Sequence, residues 1–115
     1  MSTFFSEKML SQTANPGVTA VATYTKVANF ITVVKRIIIC NKTAAATTYR
    51  IHFHNTGATY ATTNALWYDV PINANTTVEL DTFIALNTTS GSIGVQEGNA
   101  NSLVFTLFGL EVREA

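Results

Sequence analysis

The sequence predicts an all-β fold: an antiparallel β-sandwich, jelly-roll-like, with an extended N-terminal arm. Three observations carry this. Short runs rich in Val, Ile, Thr, Tyr and Phe recur at regular intervals, separated by clusters of Asn, Thr, Ser and Gly; such spacing points to an antiparallel sandwich or barrel. A helical period is nearly absent. Several apolar residues at the N-terminus fall outside the strand pattern.

Taken in order, Thr3 to Leu10 is the only stretch that could form a short helix, with Phe4, Phe5, Met9 and Leu10 making one sticky face. Asn15-Pro16-Gly17 would end it, because Pro and Gly punctuate turns. Residues 1–20 are therefore assigned to the arm and residues 21–115 to the sandwich. Thr19 to Val27 is rich in Val, Thr and Tyr. Phe30 to Cys40, "FITVVKRIIIC", is the strongest strand, β-branched for most of its length. Strict alternation puts Ile31, Val33, Ile37 and Ile39 on one of its faces and Val34, Ile38 and Cys40 on the other. After a loop of small residues, Thr47 to His54 alternates cleanly, with Tyr49, Ile51 and Phe53 inward and Arg50, His52 and His54 outward. Asn55-Thr-Gly57 opens a loop running to Asn64. Further strands are expected at Ala65 to Ile72, Thr76 to Leu80, Phe83 to Leu86, Ser92 to Gln96 and Leu103 to Val112. Pro71 marks its strand as an edge, since proline donates no ladder hydrogen bond.

The last strand, "LVFTLFGLEV", raises a packing problem. Leu103, Phe105 and Leu107 share one face and suit a sandwich core. Val104, Phe108, Leu110 and Val112 share the other, which a two-layer sandwich leaves uncovered. An apolar outer face of this kind resembles half of an obligate interface. Together with Phe4, Phe5, Met9 and Leu10 of the arm, these four residues are the candidate docking residues.

Composition narrows the classes of partner. The 115 residues suffice for one domain with a real core. Seven basic residues balance seven acidic ones, and only 12% of residues are charged. Nucleic-acid binding needs clustered Lys and Arg, so no nucleic-acid partner is expected. No apolar run reaches the ~20 residues of a membrane span, and no membrane partner is expected. The N-terminal stretch lacks the basic start and apolar core of a signal peptide. The single cysteine, Cys40, cannot close an internal disulfide; both features fit folding in a reducing cytoplasm. Three Asn-X-Ser/Thr matches, at Asn41, Asn75 and Asn87, reflect Asn- and Thr-rich loops.

Few constellations suggest chemistry. His52 and His54, two apart on one strand face, could give two metal ligands, but a zinc site needs a third or fourth. An outward polar face beside Arg50 accounts for them as well. Glu79 with Asp81, and Glu111 with Glu114, sit at strand ends among Thr and Asn and read as solvated rather than as an acid–base pair. Cys40 follows three isoleucines and reads as a small hydrophobe. Gly91, Gly94 and Gly98 are spaced too widely for a phosphate loop and read as turn and bulge glycines. Tyr49, Tyr60, Trp67 and Tyr68 are enough for a sugar-stacking platform, although core or interface packing is the commoner use of such rings. Catalytic residues, cofactor and metal are therefore each expected to be none.

The order "IIICNKTAAATTYRIHF", then "LWYDVPINANTTVEL", then "GSIGVQEGNANSLVFTLFGLEV" resembles small β-sandwich structural proteins of tailed bacteriophage virions. The carriers here are Cys40, Asn41, Thr48, Tyr49, Arg50, Ile51, Tyr68 to Ile72, Ala74, Asn75, Thr77, Phe105, Phe108 and Gly109, within residues 30 to 112. The resemblance implies a virion protein assembled in the bacterial host cytoplasm. Such domains look like capsid decoration (cement) subunits, forming a homo-oligomer, trimer or dimer, on the major capsid protein or other virion proteins. Similar domains serve in tails or baseplates, where assembly or host-glycan contact through Tyr60, Trp67 and Tyr68 is the alternative. A small metal-dependent enzyme using His52 and His54 is a third possibility.

Overall fold

A computed structural model describes residues 5–113. Eight strands and one 3-10 turn account for most of them: β1 (Phe5–Ala14), β2 (Val21–Thr25), β3 (Phe30–Asn41), β4 (Thr47–His54), β5 (Ala65–Ile72), β6 (Thr77–Leu86), β7 (Ser92–Glu97) and β8 (Leu103–Arg113), with the turn at Thr62–Asn64. They form two four-stranded sheets. Sheet A has the order β1-β8-β3-β6 and sheet B the order β2-β7-β4-β5. All pairings are antiparallel. The inner faces share one core, in which Val34, Ile37, Ile39, Leu103, Phe105 and Leu107 of sheet A meet Tyr49, Ile51, Ile93 and Val95 of sheet B. The chain is a β-sandwich, as expected.

Three local features differ from the expected pattern. The first is the N-terminus. Residues 5–14 form β1, paired with β8 from Phe5↔Val112 to Ala14↔Val104, rather than an arm or a helix. Without β1, the apolar strand β8 would be a bare sheet edge, with its amides and carbonyls unpaired. Leu10, expected on the arm, is the extra residue of a bulge between Met9 and Ser11 and packs against the core. The segment after it is also tied down: the Asn15 amide donates to the Leu103 carbonyl, and Gly17 exchanges hydrogen bonds with Glu97. Deleting residues 1–17 is therefore expected to lower the melting temperature of the remaining domain and expose β8. An unchanged melt would restore the arm.

The second is β3. A bulge at Lys35 changes the parity, placing Val34, Ile37 and Ile39 inward and Ile31, Val33, Ile38 and Cys40 outward. The expected grouping of Ile31 and Val33 with Ile37 and Ile39 is corrected accordingly. The bulge sits where Gly109 of β8 approaches closely: a Cβ there would lie 2.0 Å from the Val33 carbonyl oxygen. Only glycine admits that contact. Third, the two runs at 76–80 and 83–86 join into the single strand β6, whose pairing with β3 shifts register at the same bulge.

Two buried carboxylates hold the ends of the sandwich. At one end Glu97, 1% exposed, accepts from the amides of Gly17, Asn101, Ser102 and Leu103. At the other, Glu111 accepts from the Tyr24 hydroxyl at 2.8 Å and pairs with Lys8 at 2.7 Å. Tyr24 belongs to sheet B and Glu111 to sheet A, so this contact joins the layers. Burial pushes the Tyr24 hydroxyl up to about 12. Glu111, expected to be solvated, is thus buried and fully engaged.

Candidate functional site

The outer face of sheet A is the first candidate. Along β8, Val104, Thr106, Phe108, Leu110 and Val112 point away from the core, as the alternation of inward Leu103, Phe105 and Leu107 requires. Ile31, Val33, Ile38 and Cys40 of β3 lie beside them. Met9 stands opposite Phe108, and Ala85 stands opposite Val33. Exposure is large for Phe83 at 76%, Met9 at 51% and Phe108 at 37%. Val104, Leu110 and Val112 are half-buried by their strand neighbours. Of the other expected docking residues, Phe4 lies outside the described residues. Phe5 contributes backbone pairing to β8. Leu10 serves the chain's own core.

A charged belt crosses this face. Lys35 pairs with Glu7 at 3.2 Å, and Arg36 with Asp81 at 3.0 Å and Glu79 at 3.7 Å. Its cause is the β3 bulge, which brings the consecutive cations Lys35 and Arg36 to the solvent side. Exposed pairs of this kind add little stability; their placement instead divides the face into two apolar fields. One holds Ile31, Val33, Leu110 and Val112, and the other Ile38, Cys40 and Val104. A shallow hollow of about 350 Å³ opens between Glu7, Met9, Lys35 and Phe108.

The outer face of sheet B has a different character. A bulge at Tyr68–Asp69, with Asp69 in the left-handed region at φ 51, puts two consecutive side chains on the same outward side. Asp tolerates that backbone better than most residues. Arg50 of β4 lies between them. It donates to both Asp69 carboxylate oxygens, at 2.6 and 3.1 Å, while its guanidinium carbon sits 4.0 Å from the Tyr68 ring centre. The Arg50 hydrogen bond holds the Asp69 carboxyl below its ordinary value. Across β4, the 55–64 loop folds back over the sheet. Its Tyr60 packs on Gly94, where a Cβ would come within 2.5 Å of the ring, and its hydroxyl bonds Ser92 at 2.7 Å.

Of the four rings considered for a sugar platform, two go elsewhere. Tyr49 is fully buried and Trp67 packs against the core, whereas Tyr60 and Tyr68 line one cleft with Arg50, His52 and Gln96. His52 and His54 diverge in use. His52 Nδ1 lies near the Ala61 carbonyl and the Asn64 side chain, and His54 Nδ1 accepts from the Thr56 amide. Among the described residues no group of three or more His, Cys, Asp or Glu side chains is arranged to hold a metal ion. Strand alternation alone could not find this cleft. The Tyr68–Asp69 bulge and the return of the 55–64 loop create it; the sequence showed only the Tyr60 and Tyr68 rings and Arg50 beside His52 on the outward face. No family model, curated protein or solved structure matches the chain.

Proposed function

We propose that the chain is a non-enzymatic structural subunit of a tailed bacteriophage virion, a capsid decoration protein that docks on the major capsid protein and on copies of itself through the outer face of sheet A. The observation that carries this is the open apolar face itself: Phe83, Phe108 and Met9 stand exposed on the same sheet face that carries the half-buried Ile31, Val33, Leu110 and Val112. Fully burying each large side chain is worth about 1.5–3 kcal/mol relative to leaving it in water, and exposed apolar surface rimmed by polar residues marks association sites. The belt of Glu7, Lys35, Arg36, Glu79 and Asp81 gives a partner a polar register to match.

The fold supports the same reading. We read it as a jelly roll: β1 pairs with β8, β2 with β7, β3 with β6 and β4 with β5, as when one long antiparallel ribbon is rolled into two sheets. Jelly rolls are frequent in viral capsid and lectin domains. The resemblance of residues 30 to 112 to virion sandwich proteins points the same way. Phe108→Asp is the direct test. It places a charge on the outer face, so the domain should keep its melting temperature while losing association in sedimentation. If the mutant unfolds, Phe108 serves the domain's own packing. If sedimentation is unchanged, the face does not dock.

A further inference from the structure

The docking reading leaves the cleft on sheet B unused. It measures about 360 Å³ and lies between Tyr60 and Tyr68, with Arg50, His52 and Gln96 beneath and the 18–20 segment along one side. A second hollow of about 250 Å³ shares Val18, Arg50 and Gln96 with it and extends to Asp69. Pockets of this size suit small ligands.

His52 shows the cleft to be incomplete. It is 3% exposed. The Asn64 amide orientation is fixed, because its nitrogen donates to the Thr59 carbonyl and its oxygen accepts from the Ala61 amide. His52 Nδ1 therefore faces two acceptors, the Ala61 carbonyl at 3.1 Å and the Asn64 oxygen at 3.2 Å. In the neutral ring Nδ1 must carry the hydrogen, which leaves Nε2 an acceptor. Among the described residues no donor reaches Nε2, and it is sealed from solvent. Buried acceptors are rarely left this way. Opening the Tyr60 loop to admit a hydroxyl would satisfy it.

The other polar groups define the ligand. Arg50 is already held by both oxygens of Asp69, so the cleft offers no uncompensated cation for an anion. Gln96 Nε2 donates to the Val18 carbonyl at 2.7 Å, which turns its oxygen into a further acceptor. The Arg50 donors and the Asp69, Gln96 and His52 acceptors thus line the cleft and the hollow beside it, next to the Tyr60 and Tyr68 rings. A pyranose fits this pattern, with hydroxyls that both donate and accept and a C–H face that packs on an aromatic ring.

We propose that this cleft binds a neutral saccharide, stacked against Tyr68 and Tyr60 and hydrogen-bonded by Arg50, Asp69, Gln96 and His52 Nε2. The site is independent of the sheet A face and of where the subunit sits in a particle. The test is an NMR titration with the methyl glycosides of glucose, galactose, mannose and N-acetylglucosamine. At least one should give saturable shifts at the Gly94 and Gln96 amides and at His52 Nε2. Tyr68→Ala and Gln96→Ala should each weaken binding at least about tenfold without lowering the melting temperature, whereas Phe108→Asp should bind as the unaltered chain does. No saturable shift from any of the four, or binding that survives both cleft substitutions, overturns the proposal.

Discussion

Replacing Glu97 by alanine is expected to cost about 3–5 kcal/mol of stability, since each buried donor left without an acceptor costs about 1–3 kcal/mol and the loop can relax to recover part of that. The side chain accepts from four backbone amides, of Gly17, Asn101, Ser102 and Leu103, and from the Ser102 hydroxyl. These donors come from three parts of the chain: the segment after β1, the turn before β8, and the first residue of β8 itself. Removing the carboxylate would loosen all three together. The same geometry gives a pH dependence. Burial alone would raise the carboxyl, but the amides of Leu103, Ser102, Gly17 and Asn101 outweigh it and hold Glu97 below the ordinary value of 4.5. Its contribution is therefore complete above that value and lost as pH falls through the lower folded-state one. Glu111 acts in the same direction, with burial opposed by Lys8 and Tyr24. Chemical denaturation at neutral and acid pH checks this. Glu97→Gln should show a smaller acid loss than the unaltered chain, and an equal loss would mean that Glu97 is not the linked group.

Phe105→Ala should cost a similar amount, about 3–5 kcal/mol, as large-to-small changes in closed cores do. Phe105 is fully buried on β8, opposite Thr13 of β1 and Ile39 of β3. Its cavity would lie in the interior of sheet A, where neighbouring strands restrict collapse. Domains of this kind are stable by only about 5–15 kcal/mol, so the loss should appear as a large fall in melting temperature. The contrast with Phe108→Asp, three residues along the same strand, separates the core face from the outer face proposed to dock. If Phe105→Ala melts like the unaltered chain and Phe108→Asp unfolds it, the two faces of β8 are reversed.

Much of the sandwich was legible because strand alternation is a local property. Leu103, Phe105 and Leu107 face inward as their spacing requires, and so do Tyr49 and Ile51 of β4. Pro71 does lie on an edge strand. What alternation could not supply was the position of the bulges, because one extra residue reverses every side chain beyond it. The Lys35 bulge exchanged the partners of Ile31 and Val33, and the bulge at Leu10 turned a residue assigned to an arm into part of the core. Long-range pairing was also hidden. Phe5–Ala14 looked stranded because its partner, β8, lies at the other end of the chain. Glu97 and Glu111 looked ordinary, since the amides and the tyrosine that engage them come from distant segments. The Tyr60–Tyr68 cleft was half visible: the rings were noted, but only the fold separates them from Tyr49 and Trp67.

In the function proposed above, sheet A's outer face mounts this chain on a particle lattice. Counting its copies in purified virions, with the natural sequence and with Phe108→Asp, tests that most directly. The account predicts a copy number comparable to that of the major capsid protein, and near-complete loss of the chain from particles when Phe108 is replaced. A handful of copies per particle, or Phe108→Asp retained at full occupancy, would contradict it.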